Sequence, residues 1–177
     1  ALYLSTKWQL NKEWGAVAGL RAENTLIKGQ WNSIQNDVWV QNEKPPFENE
    51  YTTLLPSFII SKKIDMMSSL KASYSKRIFR PGIRYINPNI SYTDTLSLTE
   101  GNPQLNPEIT HQLELGYNNF RGKYKGSYYI FAKQTYDLIE SNVRLSGNNS
   151  ITSYDNIGEN LSLGFNYYGS IKIGDAN

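Results

Sequence analysis

Residues 69–79 read SLKASYSKRIF, and their side chains alternate in polarity along the chain. Leu70, Ala72, Tyr74 and Ile78 fall on one parity, whereas serine, lysine and arginine side chains dominate the other. A period of two is typical of a β-strand that has one apolar and one polar face. The stretch therefore predicts a strand of more than ten residues, longer than the usual five or six.

The same alternation recurs on both sides of this stretch. Seven strands are predicted, at residues 2–10, 14–27, 51–63, 67–80, 109–119, 124–140 and 159–173. A tilted strand of about 9–11 residues is what a lipid bilayer requires of a chain that crosses it as a strand. The lengths therefore favour strands that span a membrane.

The predicted connections alternate between short and long. Short turns are predicted around 11–13, 63–66 and 121–123, and long loops at 28–50, 81–108 and 141–158. Short turns on one side and long loops on the other are typical of outer-membrane barrels. The fold class predicted is all-β: an antiparallel transmembrane β-barrel segment with short periplasmic turns and long extracellular loops.

The composition excludes several classes of function. The chain has 177 residues, no cysteine, one histidine and a formal net charge of +2. Disulfides, thiolate zinc sites and cysteine nucleophiles are excluded, and the small charge gives no reason to expect a nucleic-acid partner. Because the sequence also has no phosphate-binding glycine loop and no supported Ser–His–Asp set, we predict no enzyme, no cofactor and no metal site.

Aromatic side chains support the membrane interpretation. Barrels carry aromatic girdles where their apolar band meets the two interfaces. The aromatic residues on the apolar parities are Trp8, Trp14, Tyr117, Tyr128, Phe165 and Tyr167. Lys76, His111 and Gln134 are polar exceptions on these parities. We interpret Lys76 as reaching for the interface, His111 as an interface residue, and Gln134 as marking a bulge or an interface.

Several motifs resemble one family. GNPQLNPE at 101–108, followed by ELGY at 114–117, resembles the GNPxLxPE…ELGY signature of TonB-dependent outer-membrane receptors. YSKRIFRP at 74–81, with Asn87 and Pro88 after it, resembles the segment that precedes that signature. GLRAE at 19–23 and LLPSF at 54–58 are similar to strands further upstream. The resemblance covers nearly the whole chain.

The resemblance implies a function for a longer parent protein. Such receptors have barrels of about 22 strands, filled by a plug domain on which a TonB-type energy-coupling protein pulls. Residues 1–177 are expected to be an internal part of that barrel domain, without the plug and the last strands. The implied partners are outer-membrane lipid, the plug of the same parent chain, the TonB-type protein and, as in some relatives, a surface lipoprotein. The implied location is the outer membrane of a Gram-negative bacterium.

Two sets of residues are candidates for contact with a transported ligand. The first set is the loop tyrosines Tyr85, Tyr92 and Tyr154, because loops carry function more often than strands do. The second set is predicted to face the lumen. There it either contacts the plug or the substrate, or only provides a polar, hydrated lining. It comprises Arg21, Glu23, Lys71, Arg77, Glu114, Lys133 and Asp137. For the motif at 101–108, shaping of the chain before the next strand is favoured over ligand contact.

Two alternatives to a nutrient receptor remain open. One is a barrel of the same family that no longer transports and serves as a scaffold in a larger outer-membrane complex. The other is a soluble β-sandwich that binds carbohydrate through its loop tyrosines. The sandwich requires the apolar strand faces to pack against a second sheet.

Overall fold

The computed structural model describes residues 1–29, 32–35, 38–41, 46–92 and 96–171, with 32–35, 38–41 and 92 described by their backbone alone. Strands dominate the described part. In chain order the elements are β1 (Leu2–Gln9), β2 (Trp14–Gly29), β3 (Asn32–Gln35), β4 (Val38–Gln41), β5 (Phe47–Lys63), β6 (Ser68–Phe79), α1 (Ile83–Ile86), β7 (Ser91–Tyr92), β8 (Ser97–Thr99), β9 (Glu108–Asn119), β10 (Tyr124–Ser146) and β11 (Asn149–Ile171). In the described residues no helix is long and apolar enough to cross a membrane.

The long strands form one antiparallel sheet. Its order is β1-β2-β5-β6-β9-β10-β11-β8-β7, so consecutive long strands are neighbours. Only the β11–β8 pairing is parallel among the described pairs, and β3–β4 form a separate hairpin. The sheet is open, with β1 at one edge. The predicted all-β fold with seven long antiparallel strands is confirmed.

The predicted loop at 141–158 is wrong. β10 and β11 continue through it and pair from Ser146↔Asn149 down to Tyr124↔Ile171. They are joined by a turn of two residues in which Gly147 has φ +61°. Glycine at the first central position is typical of the tight turns that suit the twist of a hairpin. The Gly-Asn pair was the signal for this turn in the sequence.

The predicted loop at 28–50 is also wrong where the structure describes strands, at 28–29, 32–35, 38–41 and 47–50, whereas 30–31, 36–37 and 42–45 lie outside the described residues. β2 reaches Gly29 and pairs there with Phe47, the first residue of β5. The β3–β4 hairpin lies between them in the chain. Lys28 Nζ and Glu48 Oε1 lie 3.1 Å apart across the two strands, and an opposite-charge pair supports cross-strand pairing. The ends of β2 and β5 are charged and were therefore predicted as loop from the sequence, although they extend the ladder.

The predicted short turns are present at one end of the sheet. Asn11 Oδ1 accepts hydrogen bonds from the backbone N–H groups of Glu13 and Trp14, each at 2.8 Å. Asp65 Oδ1 accepts one from the Met67 N–H at 2.7 Å, and this hydrogen bond lowers the pKa of the Asp65 carboxyl. Such side-chain contacts replace the backbone bonds of a longer turn, so the chain reverses within a few residues.

The sheet has one apolar and one polar face. Paired residues of an antiparallel ladder lie on the same face. One row of the apolar face consists of Ala16, Ile60, Ala72, Leu115, Ile130 and Phe165. Leu115 is 56% exposed and Leu163, one row further, is 73% exposed. Within the described part nothing covers this face, which suits contact with lipid and contradicts the β-sandwich alternative.

Candidate functional site

Register places six of the seven polar candidates on the polar face. Gly19↔Ser57, Ser57↔Ser75, Ser75↔Gln112 and Gln112↔Lys133 connect the strands that carry them. The six are Arg21, Glu23, Lys71, Arg77, Glu114 and Lys133. Asp137 differs, because it has φ +56° inside an irregularity between Thr135 and Leu138. A residue in a bulge leaves the regular alternation, so parity alone does not place Asp137.

An ion cluster on the polar face ties β2 to the segment after β6. The Glu23 carboxylate pairs with both Arg21 and Arg80, and its side chain is only 7% exposed. Arg80 Nε also donates to Thr25 Oγ1 at 3.1 Å. Arg80 was missed in the sequence because it follows the last alternating residue and precedes Pro81. The cluster holds the start of the connection between β6 and β9, called here the long connection, against the sheet.

We expect Glu23→Gln to lower the urea midpoint of unfolding of the full-length protein. The neutral amide leaves the half-exposed Arg21 and Arg80 guanidinium groups close together without the carboxylate that they share, so the repulsion between them is no longer offset. Glu114→Gln is the matched control, since Glu114 is on the same face and forms no ion pair with described residues. Equal midpoints for the two variants would contradict a stabilising role for the cluster.

The segment between β6 and β9 folds back on itself before it reaches β9. The Gly101 N–H donates to the Asn87 carbonyl at 2.8 Å, and the Asn102 N–H donates to the Tyr85 carbonyl at 2.7 Å. A side chain at position 101 would collide with the backbone of Tyr85 and Asn87. Glycine is therefore needed at position 101 for the close approach of two chain segments.

The GNPQLNPE motif braces this segment against β11 and β5. The Asn102 side-chain amide donates to the Tyr154 carbonyl at 3.0 Å and to Asp155 Oδ1 at 3.1 Å. The Asn106 N–H donates to Asn156 Oδ1 at 2.8 Å, and Asn156 Nδ2 donates back to the Asn106 carbonyl at 3.0 Å.

Leu105 adds a contact with β5 to these contacts of Asn102 and Asn106 with β11, and together they are called the brace. The Leu105 side chain is 1% exposed, and the Leu105 carbonyl accepts a hydrogen bond from Asn49 Nδ2 of β5 at 3.2 Å. The motif thus connects strands that are not neighbours in the sheet.

The structure brings two of the three candidate tyrosines together. Tyr85, in α1, and Tyr154 make an edge-to-face ring contact with centroids 4.9 Å apart and planes at 85°. The expectation that Tyr154 lies in a loop is wrong, because it lies in β11 and pairs with Ser141 of β10. The backbone of Tyr92 pairs with Leu98, but its side chain lies outside the described part of the chain.

A polar cleft of about 380 Å³ lies beside the brace. Its lining residues are Pro88, Glu100, Gly101, Asn102, Pro103, Asn142, Arg144, Ser153 and Asp155. Arg144 Nη2 and Glu100 Oε2 lie 2.9 Å apart, so the cleft offers both signs of charge together with amide groups. The sequence did not reveal it because its residues meet only when β10 and β11 continue as a hairpin.

The cleft does not have the ligand set of a metal centre. No group of three or more His, Asp or Glu side chains suited to a metal ion occurs among the residues that the structure describes. The larger depression on the apolar face, about 520 Å³, is lined by side chains that include Trp14, Leu70 and Tyr117. Its apolar lining suits lipid acyl chains rather than a polar ligand.

Comparison with known proteins defines the class of this protein. The sequence model of the outer membrane protein beta-barrel family matches residues 1–176, and the chain belongs to that family. The predicted location in the outer membrane of a Gram-negative bacterium is thereby confirmed. A comparison with curated proteins found no match.

Solved structures share the fold of the described sheet. The siderophore receptor PirA from Pseudomonas aeruginosa matches with TM-score 0.67 and 16% identity, over 93% of this chain and 29% of that one. The copper transporter OprC matches with TM-score 0.74 and 15% identity, over 97% and 26%. The hemophore receptor HasR from Serratia marcescens matches with TM-score 0.70 and 14% identity, over 94% and 30%. The chain therefore spans about a quarter to a third of the length of these proteins.

Proposed function

We propose that this chain forms part of the wall of a TonB-dependent outer-membrane receptor that imports a scarce nutrient. In this function the long connection and the β10–β11 hairpin take up the ligand at the outer surface. A plug domain of the same parent chain then moves, driven by a TonB-type energy-coupling protein, and opens the lumen. The proposal assigns the chain no catalytic step.

One observation carries the proposal: the polar cleft lies at the end of the sheet opposite the short turns, beside a braced segment. The long connections of an outer-membrane barrel are extracellular, so the cleft faces the medium. Its position beside a rigid brace is what a capture site needs, because ordering a flexible loop on binding costs affinity. The fold shared with a siderophore receptor, a copper transporter and a hemophore receptor supports the same function.

The two faces suit the two surroundings that this function requires. The apolar face meets lipid, and the ladders pair backbone groups that hydrocarbon cannot solvate. The polar face lines the lumen, where Arg21, Lys71 and Lys133 stay hydrated or meet the plug. Near the cleft, Tyr85 and Tyr154 offer ring surface, while Arg144 and Glu100 offer charge. This combination fits a polar, multifunctional ligand better than a bare ion.

Growth and uptake test the proposal in the source organism. A strain without the parent gene is compared with one that carries it, on media where ferric siderophores, haem, copper or oligosaccharides are limiting. We expect slow growth of the deletion strain on one of these media, and uptake that stops when an uncoupler removes the proton gradient. The purified parent protein should have a mass several times the 20.2 kDa of these residues.

A pair of arginine variants tests the cleft. Arg144→Ala is expected to weaken ligand uptake about tenfold, which is the loss of affinity expected when one charge-assisted hydrogen bond is removed. Arg121→Ala, in a short turn at the opposite end of the sheet, is the matched control and should leave uptake unchanged. If the deletion strain grew normally on every medium, and if its outer membrane lost a stable protein complex, transport would be ruled out. The scaffold function would then be favoured.

A further inference from the structure

Three polar residues of neighbouring strands form one row on the apolar face. Lys76 of β6 pairs with His111 of β9, and His111 pairs with Gln134 of β10. Paired side chains on one face have Cβ atoms about 4.5–5.5 Å apart, so the three side chains lie side by side. The flanking rows are Tyr74, Leu113 and Ala132 on one side, and Ile78, Ile109 and Tyr136 on the other. These three exceptions to the alternation are thus one cluster, apart from Lys62, which lies on the same face near the short turns.

Neighbouring tyrosines fix the ring of His111. Tyr74 Oη lies 2.8 Å from His111 Nδ1, and the Tyr136 ring meets the imidazole edge to face, with centroids 6.0 Å apart and planes at 80°. When the phenol donates to Nδ1, the proton of a neutral imidazole sits on Nε2, which is then a hydrogen-bond donor. Lys76 adds a positive charge and Gln134 an amide.

The positive charge in this row has no counter-ion among the residues that the structure describes. Lys76 forms no ion pair with any described residue. Lys62, on the same face near the short turns, lies over the Trp14 ring at 5.1 Å from its centroid. The Lys76 ammonium and the donors beside it are therefore available to an anionic group from the surroundings of the sheet.

The position of the row identifies those surroundings. Lys76 lies in the last third of β6, close to the long connection, whereas the aromatic row Tyr117, Tyr128 and Tyr167 lies close to the short turns. Because the long connections are extracellular, the row lies in the outer leaflet. The anionic groups of lipids at that height are phosphates, and lysine, imidazole and amide donors suit phosphate oxygens.

We propose that Lys76, His111 and Gln134 bind the phosphate-bearing headgroup of an outer-leaflet lipid. The acyl chains of that lipid lie along the apolar rows nearer the short turns, where Leu113 and Leu115 are exposed. The site is on the face opposite the polar cleft, so it does not depend on the transport function. Such a site binds one lipid molecule specifically, in addition to the general contact of the apolar face with the bilayer.

Lipid binding to the purified full-length protein tests this site. The protein in detergent is titrated with bisphosphorylated lipid A, and with lipid A from which both phosphates have been removed, and the adducts are measured by native mass spectrometry. We expect the phosphorylated form to bind more tightly. Lys76→Gln should lower its affinity about tenfold, the ratio for one charge-assisted hydrogen bond, and Lys76→Arg should restore it.

Lys71→Gln is the matched control, because Lys71 lies on the polar face of the same strand. It should leave lipid binding unchanged, and the heat-modifiable gel shift of each variant confirms that the barrel has folded. His111→Gln gives a second, uncharged test of the same row and should also weaken binding. Equal affinity for both forms of lipid A, or an equal loss in Lys71→Gln, would overturn the proposal.

Discussion

Leu115→Arg is expected to give the largest loss of stability among single changes to the strands. Leu115 lies in the middle of the apolar face, between Ala72 and Ile130, and is 56% exposed. An arginine on the lipid face near the bilayer midplane costs about 2–4 kcal/mol. The full-length protein is refolded into lipid vesicles, and its free energy of unfolding in urea is measured for wild type and variant.

Ser73→Arg is the matched control for this prediction. Ser73 lies one residue from Ala72, on the polar face, and pairs with Glu114. The new guanidinium there meets a carboxylate and a wet surface, so the free energy of unfolding should change by less than about 1 kcal/mol. A larger loss for Ser73→Arg than for Leu115→Arg would mean that the two faces have been exchanged, and that the membrane assignment of the sheet is wrong.

Leu105→Ala is expected to release the brace while the strands stay folded. Leu105 has the most buried large side chain of the described part. Replacing a fully buried leucine with alanine costs about 2–5 kcal/mol. Because Leu105 lies in the connection before β9 and not in a strand of the sheet, that loss falls on local opening of the segment. Hydrogen–deuterium exchange of the Gly101 and Asn102 amides, which donate to Asn87 and Tyr85, should become faster.

Leu96→Ala serves as the control, because Leu96 is in the same connection and is 55% exposed. Its exchange pattern should match that of the wild type. If Leu105→Ala also left exchange of the 101 and 102 amides unchanged, the brace would not depend on this side chain. Loss of ligand uptake with intact strands would connect the brace to the proposed function.

The fold could be predicted largely from local signals. The alternation in 69–79 placed β6 within one residue of its observed ends, because a period of two follows directly from the geometry of a strand. Asn11 and Asp65 marked turns through contacts with amides two or three residues away. The errors at 28–50 and 141–158 arose where polar residues extend a strand beyond the apolar band, so the apolar alternation ends before the ladder does.

The candidate site could be predicted only in part. Glu23 was named from its parity, but its partner Arg80 is 57 residues away in the chain. Tyr85 and Tyr154 were named from their surroundings in sequence, whereas their contact depends on the fold of the connection. Arg144, Glu100 and Asp155 were not named, since no local pattern shows that they surround one cleft.

The sequence by itself determined where the apolar parts of the long strands lie, which face most of their side chains take and where the chain turns at one end of the sheet. These properties depend on the backbone and on neighbours within a few residues. The tertiary structure alone decided the register between strands, and with it the Glu23 cluster, the brace at Leu105 and the row of Lys76, His111 and Gln134. Register is a relation between segments far apart in the chain, fixed when backbone ladders form and apolar rows align.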